Sequence, residues 1–162
     1  MTTLAPGQYT AIVRGKNDGI GVALVEVYDL TGGGASKLAN ISTRGFVQPG
    51  DNVLIGGFIL GGGQDANRIV VRGIGPSLLG LGIVNALEDP LLELRNANGA
   101  LIRSNDNWKD TQQSEIEMTS LAPSNDAESA LLAAIPSGNY TAILAGKNQG
   151  TGVGLVEVYS LP

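Results

Sequence analysis

Apolar positions in this chain fall in runs of about four to eight residues, punctuated by glycine, asparagine, aspartate and proline, which is the pattern of strands joined by turns. Residues 9–14 and 22–28 flank a Gly/Asn/Asp turn over 15–21 and predict a β-hairpin. Residues 38–47, 53–60 and 68–74 predict three further strands, with turns over 48–52 and 61–67. Residues 75–84 hold too many glycines for a helix interior and predict an ordered loop or a single turn. Residues 91–95 and 100–103 flank an Asn-Gly turn, so a second hairpin is expected there. Between 105 and 134 the chain is polar first and Ala/Leu-rich later. Residues 115–118 predict a helical turn, and residues 126–132 a strand or a short helix. A strand is preferred because Pro136, Ser137 and Gly138 lead directly into a last hairpin over 138–161. Short strands at this spacing predict an all-β fold, a β-sandwich of jelly-roll type with a duplicated terminal hairpin.

The duplication is the most informative feature. Residues 7–30 and 138–161 align without gaps, and 17 of the 24 positions are identical. An offset that covers most of the chain means that one repeat period is present once, with the end of a preceding period in front of it. Residues 1–34 therefore read as a hairpin equivalent to the end of a preceding repeat. Residues 35–162 read as a sandwich body with its own closing hairpin at 138–161. The glycine-rich stretch 31–36 is the natural junction. There are two closing hairpins and one body to close. The surplus hairpin carries the apolar residues Tyr9, Ile12, Val22, Leu24, Val27 and Tyr28. Because exposed strand edges template pairing with another chain, these six are the candidate assembly residues.

Composition narrows the chemistry. The chain of 162 residues is long enough to bury a core without staples, and it has no cysteine and no histidine. Disulfides, thiolate metal sites and the commonest general base are thus excluded, and the expectation is that the protein is not an enzyme. A net charge of −5 and scattered basic residues argue against nucleic acid as a partner. No run of apolar residues is long enough to span a bilayer, and residues 1–6 lack the basic and apolar regions of a signal peptide.

Two sets of polar residues stand out. Glu26 and Glu157 recur at the same place in both hairpins, on the strand face that carries valine, leucine and tyrosine. A carboxylate among apolar neighbours is costly unless paired, so a structural ion pair with Arg44 or Arg72 is expected. Asp89, Asn105, Asp106 and Glu128 supply hard oxygen atoms of the kind calcium takes, although Asp and Asn also make turns unaided. Calcium is therefore the one candidate cofactor. Ser77 follows Pro76 and lacks the spacing of a nucleophile elbow, and residues 61–63 lack the Gly-Lys-Ser/Thr of a phosphate loop. Trp108, the single tryptophan, is expected to anchor the core or a loop.

The ordered series Leu38-Ala-Asn-Ile-Ser-Thr-Arg-Gly45, Leu54-Ile-Gly-Gly-Phe-Ile59, Val71-Arg-Gly-Ile-Gly-Pro-Ser-Leu78, Asp89-Pro-Leu-Leu-Glu-Leu94, Asn105-Asp-Asn-Trp108, Tyr140-Thr-Ala-Ile143 and Val156-Glu-Val-Tyr159 resembles a tandem β-rich repeat of very large secreted bacterial surface and extracellular proteins. Residues 89–140 are also similar, more weakly, to small jelly-roll domains appended to secreted peptidases, some of which bind calcium through comparable Asp and Asn loops. The resemblance implies an extracellular or cell-surface module and supplies no catalytic residue. The function expected from both lines is a structural module that assembles head to tail with itself, as a filament, stalk or surface array, through hairpin complementation. The alternative is a jelly roll that binds carbohydrate or another cell-surface ligand, with calcium.

Overall fold

The computed structural model describes residues 2–30, 39–61 and 66–162, which belong to two compact units, Met1–Leu38 and Ala39–Pro162. The expected linker over 31–36, with the junction at 34/35, lies outside the described residues, as does most of the expected turn over 61–67.

The larger unit is an all-β sandwich of eight strands: β1 (Asn40–Val47), β2 (Leu54–Leu60), β3 (Asn67–Ile74), β4 (Pro90–Asn96), β5 (Leu101–Asn105), β6 (Ser129–Ile135), β7 (Gly138–Gly146) and β8 (Gly152–Ser160). One sheet has the order β1-β8-β3-β6 and the other β2-β7-β4-β5, with every ladder antiparallel. Alternation sets the inner faces. Ile69 and Val71 of β3, Val156 and Val158 of β8, Leu92 and Leu94 of β4, and Tyr140, Ala142 and Leu144 of β7 point into one shared core. The strands expected from the apolar runs are all present in this unit. The β4–β5 hairpin turns at Gly99, whose φ of 76° is the left-handed conformation that an Asn-Gly turn needs. Residues 76–81 form a 3-10 turn, and the one α-helix among the described residues, α1 (Gln113–Met118), is short.

The last two strands correct an expectation. Residues 138–161 are not a hairpin, because β7 pairs with β2 and β4 while β8 pairs with β1 and β3, in the opposite sheet. They form an arch that spans the sandwich and supplies an inner strand to each sheet. The turn between them carries two consecutive left-handed residues, Asn148 (φ 51°) and Gln149 (φ 63°), and the chain crosses there from one layer to the other.

Residues 2–30 also depart from the hairpin reading. They hold no strand among the described residues, and their one assigned element is a 3-10 turn, Lys16–Asp18. The apolar runs at 9–14 and 22–28 have the composition of strands, but strand assignment needs ladder partners, and none is formed there.

Candidate assembly site

The two repeat copies share the conformation of their turn and the contacts of their tyrosines. In the first, Asn17 and Asp18 are left-handed (φ 52° and 58°) where Asn148 and Gln149 are in the second. The Gly19 amide donates to the Lys16 carbonyl at 3.1 Å, and Gly150 donates to Lys147 at 2.9 Å. The Tyr9 hydroxyl donates to the Ala5 carbonyl, four residues back, at 2.6 Å, and Tyr140 does the same to Pro136 at 2.8 Å. Tyr28 donates to Glu26 and Tyr159 to Glu157, each at 2.9 Å. Residues 7–30 are thus an arch of the same design as residues 138–161.

What differs is burial. Tyr140 is 8% exposed and its counterpart Tyr9 is 59%; Val158 is 6% exposed and Val27 is 65%. Ile12, Val22, Leu24 and Tyr28 are exposed as well. All six candidate assembly residues therefore present apolar surface, whereas their counterparts are buried or half-buried by the sandwich.

The same asymmetry is testable at glycine. Gly152 has φ 156°, and a Cβ there would lie 2.7 Å from both Leu87 Cα and Leu87 N. That approach is held by the hydrogen bonds Leu87 N to Val153 O and Val153 N to Asn85 O, each 2.8 Å. Gly152→Ala is expected to destabilise the body by about 2–4 kcal/mol through collision and backbone strain. The equivalent Gly21 has nothing within 4 Å, so Gly21→Ala should leave the urea midpoint unchanged. Urea titration of the two variants side by side checks both.

The expected ion pair is on the outer face of the first sheet. Arg72 on β3 lies directly opposite Glu157 on β8, and its Nε and Nη2 both donate to Glu157 Oε2, Nε at 2.9 Å. Ser42, opposite Glu157 on the other side, donates to Oε1 at 3.2 Å, and Arg72 Nη1 donates to the Leu121 carbonyl at 3.1 Å. The guanidinium sits 5.4 Å from the centre of the Tyr159 ring. Burial, and then the hydrogen bond to Glu157, push the Tyr159 phenol above the usual tyrosine value. Arg44 is not at this carboxylate: the β1–β8 register puts it opposite Leu155, exposed. Glu26, in the first copy, accepts from Tyr28, and that bond raises the Tyr28 phenol.

The four candidate calcium ligands do different work. Glu128 is fully buried, and its carboxyl accepts from the Gly75 amide (3.2 Å), the Ser77 amide (3.0 Å), the Ser77 hydroxyl and the Asn125 amide (3.3 Å). Asn105 clamps the strand beside it, donating to the Asn107 carbonyl and accepting from the Ala130 amide, both at 2.9 Å. Asp89 and Asp106 share the Lys147 ammonium, at 3.8 and 2.5 Å. The hydrogen bond to Asp106 raises the Lys147 ammonium above its usual value. Among the described residues no group of three or more acidic side chains is placed to hold a metal ion.

Lys147 is a site residue that sequence reasoning passed over, although its signal is there: the pair Lys-Asn recurs as Lys16-Asn17 and Lys147-Asn148. Trp108 is 4% exposed, packs with Ile116 and Ala130, and donates through Nε1 to the Asn125 carbonyl at 3.1 Å. It therefore anchors a core cluster, as expected.

No known family model matches this chain, and no curated protein matches it either. No helix among the described residues is long and apolar enough to cross a membrane.

Proposed function

We propose that this chain is a non-enzymatic structural module of an extracellular or cell-surface polymer, a sandwich of jelly-roll type whose units join head to tail by strand complementation. Residues 7–30 are the connector: a closing arch that completes a neighbouring sandwich as residues 138–161 complete this one. The neighbour is a unit of the same kind, either the preceding repeat of a longer polypeptide or a second molecule whose own arch has been displaced.

The observation that carries the reading is the pairing of one conformation with two burial states, because an arch that holds its shape with its inward side chains exposed lacks only a sandwich. The strand order β1-β8-β3-β6 over β2-β7-β4-β5, in which only β4 to β5 connects within a sheet, supports the jelly-roll type. The resemblance of the body motifs to tandem extracellular repeats supports the setting.

The test is sedimentation velocity and electron microscopy of the full chain and of a chain lacking residues 1–31. The full chain is expected to associate with rising concentration into end-to-end assemblies, and the shortened chain to remain a folded monomer. Equal sedimentation of the two at every concentration would end the proposal.

A further inference from the structure

On the reading that residues 7–30 are a connector, we propose that their acceptor is the body of a second copy of this chain, in the slot that residues 138–161 fill here. That slot lies between β1 and β3 in one sheet and between β2 and β4 in the other. The incoming arch takes it in the same register.

The two arches differ at seven positions. Five of them, Gln8, Arg14, Asp18, Ile20 and Asp29, correspond to positions 139, 145, 149, 151 and 160, which are exposed or half-buried in the closed body. Such positions tolerate exchange. The other two are buried in the second copy, Leu144 and Gly154, and become Val13 and Ala23 in the first. These two changes answer each other. A Cβ added at Gly154 would lie 2.7 Å from Leu144 Cδ2, a collision. Valine has no δ carbon, so at position 13 that obstacle is gone and the methyl of Ala23 takes its volume. What remains is a contact with Val47 Cγ2 at 3.3 Å, which a shift of a few tenths of an ångström relieves.

A packed interior demands volume conservation between residues in contact, and an exposed surface does not. The paired exchange is therefore the signature of an arch whose positions 13 and 23 meet inside a sandwich. All the other buried positions of the second arch, Tyr140, Ala142, Gly152, Val156, Glu157 and Val158, are identical in the first.

Two polar contacts set the register. Glu26 stands where Glu157 meets Arg72, and Lys16 stands where Lys147 meets Asp106, so the incoming arch brings both halves the acceptor requires. The keys are separated by the arch turn, and a slip of one residue would misplace both and turn the apolar face outward.

The absence of cysteine from the chain makes a clean test possible. The donor is the full chain with Leu24→Cys. The acceptor is the full chain with Arg44→Cys, Glu26→Arg and Glu157→Arg, so that both of its own arches set an arginine against Arg72. In the proposed register Leu24 lies opposite Arg44, as Leu155 does here. Facing residues of an antiparallel pair have Cα atoms about 4.5–5.5 Å apart, within disulfide reach.

The two chains are refolded together from urea and oxidised. The expected product is a one-to-one 24–44 disulfide heterodimer, in yield about tenfold or more above that with an acceptor retaining Glu26 and Glu157. Adding Arg72→Glu to the acceptor lets its own arginine-bearing arches pair again; it should then refold alone, and the heterodimer should disappear. Arg44→Cys with Leu155→Cys in one otherwise unaltered chain is the positive control for oxidation.

Failure of the heterodimer to form while the control bond closes overturns the inference, as does a yield indifferent to residue 72. If the heterodimer fails but removal of residues 1–31 still abolishes assembly, the arch is a connector with a different acceptor. If that removal changes nothing, the connector reading itself has failed.

Discussion

A chain of residues 32–135, which lacks both arches, will not fold, whereas a chain lacking only residues 1–31 will unfold at the same temperature as the full chain to within about 2 °C. The two lost segments are near copies, so the contrast isolates context from sequence. Loss of residues 138–161 removes β8 from between β1 and β3 and β7 from between β2 and β4. What is left is β1 and β2 without ladder partners, and two isolated two-stranded ribbons, which are marginal at best in water. The core also loses Tyr140, Ala142, Leu144, Val156 and Val158. Burial of these five is worth on the order of 10 kcal/mol, comparable with the whole stability of an ordinary domain, about 5–15 kcal/mol. Every member of this core cluster lies within residues 41–158, so the shortened chain keeps all of it. Far-ultraviolet circular dichroism and thermal melts of the three chains read the contrast, and a cooperative melt from residues 32–135 alone would contradict it.

Glu128→Ala will destabilise the body by about 3–5 kcal/mol, the cost of stranding several buried donors at once. One carboxyl group ties the turn that begins at Gly75 and the loop at Asn125 to the start of β6, and it is fully buried. Alanine fills none of its volume and leaves three amides and the Ser77 hydroxyl unsatisfied. Glu128→Gln keeps the volume and one acceptor oxygen, so it should cost less than the alanine variant. The same ordering is not expected at Asp126, which is mostly exposed and pairs only with Lys109; Asp126→Ala should fall within about 0.5 kcal/mol of the parent, as surface changes do. Urea titrations with slopes held common give the values. A Glu128→Ala midpoint equal to that of the parent would show that the carboxyl does not hold these loops.

The strands of the body could be read directly from the chain, because short β-branched runs between turn residues are a local signal. The same local signal could not separate a hairpin from an arch. Alternating apolar residues around a glycine-rich turn look identical in both, and the distinction depends on which strand edges the rest of the molecule leaves open. The Lys-Asn-Gln turn does not separate them either, because two consecutive left-handed residues also make the tight turn of a hairpin.

Register explains the arginines in the same way. Arg44 and Arg72 each precede a glycine in a strand, and only the pairing of β8 with both neighbours places Arg72 against Glu157 and Arg44 against Leu155. Glu128 was legible as a source of oxygen ligands, but two of the amides it accepts from, at Gly75 and Ser77, lie more than fifty residues earlier in the chain, contacts that no local pattern encodes. The repeat itself was fully visible. Its meaning was not, because the compensating pair of Val13 with Ala23 acquires sense only once Leu144 and Gly154 are seen in contact.

Amide hydrogen exchange, followed peptide by peptide across residues 7–30 and 138–161 in the intact chain over a range of concentrations, tests the central claim most directly. Residues 138–161 are expected to be protected and residues 7–30 to exchange freely in dilute monomer, and in assembled fractions residues 7–30 are expected to gain protection as residues 138–161 lose it. Equal protection of both segments in a chain that sediments as a monomer would contradict it.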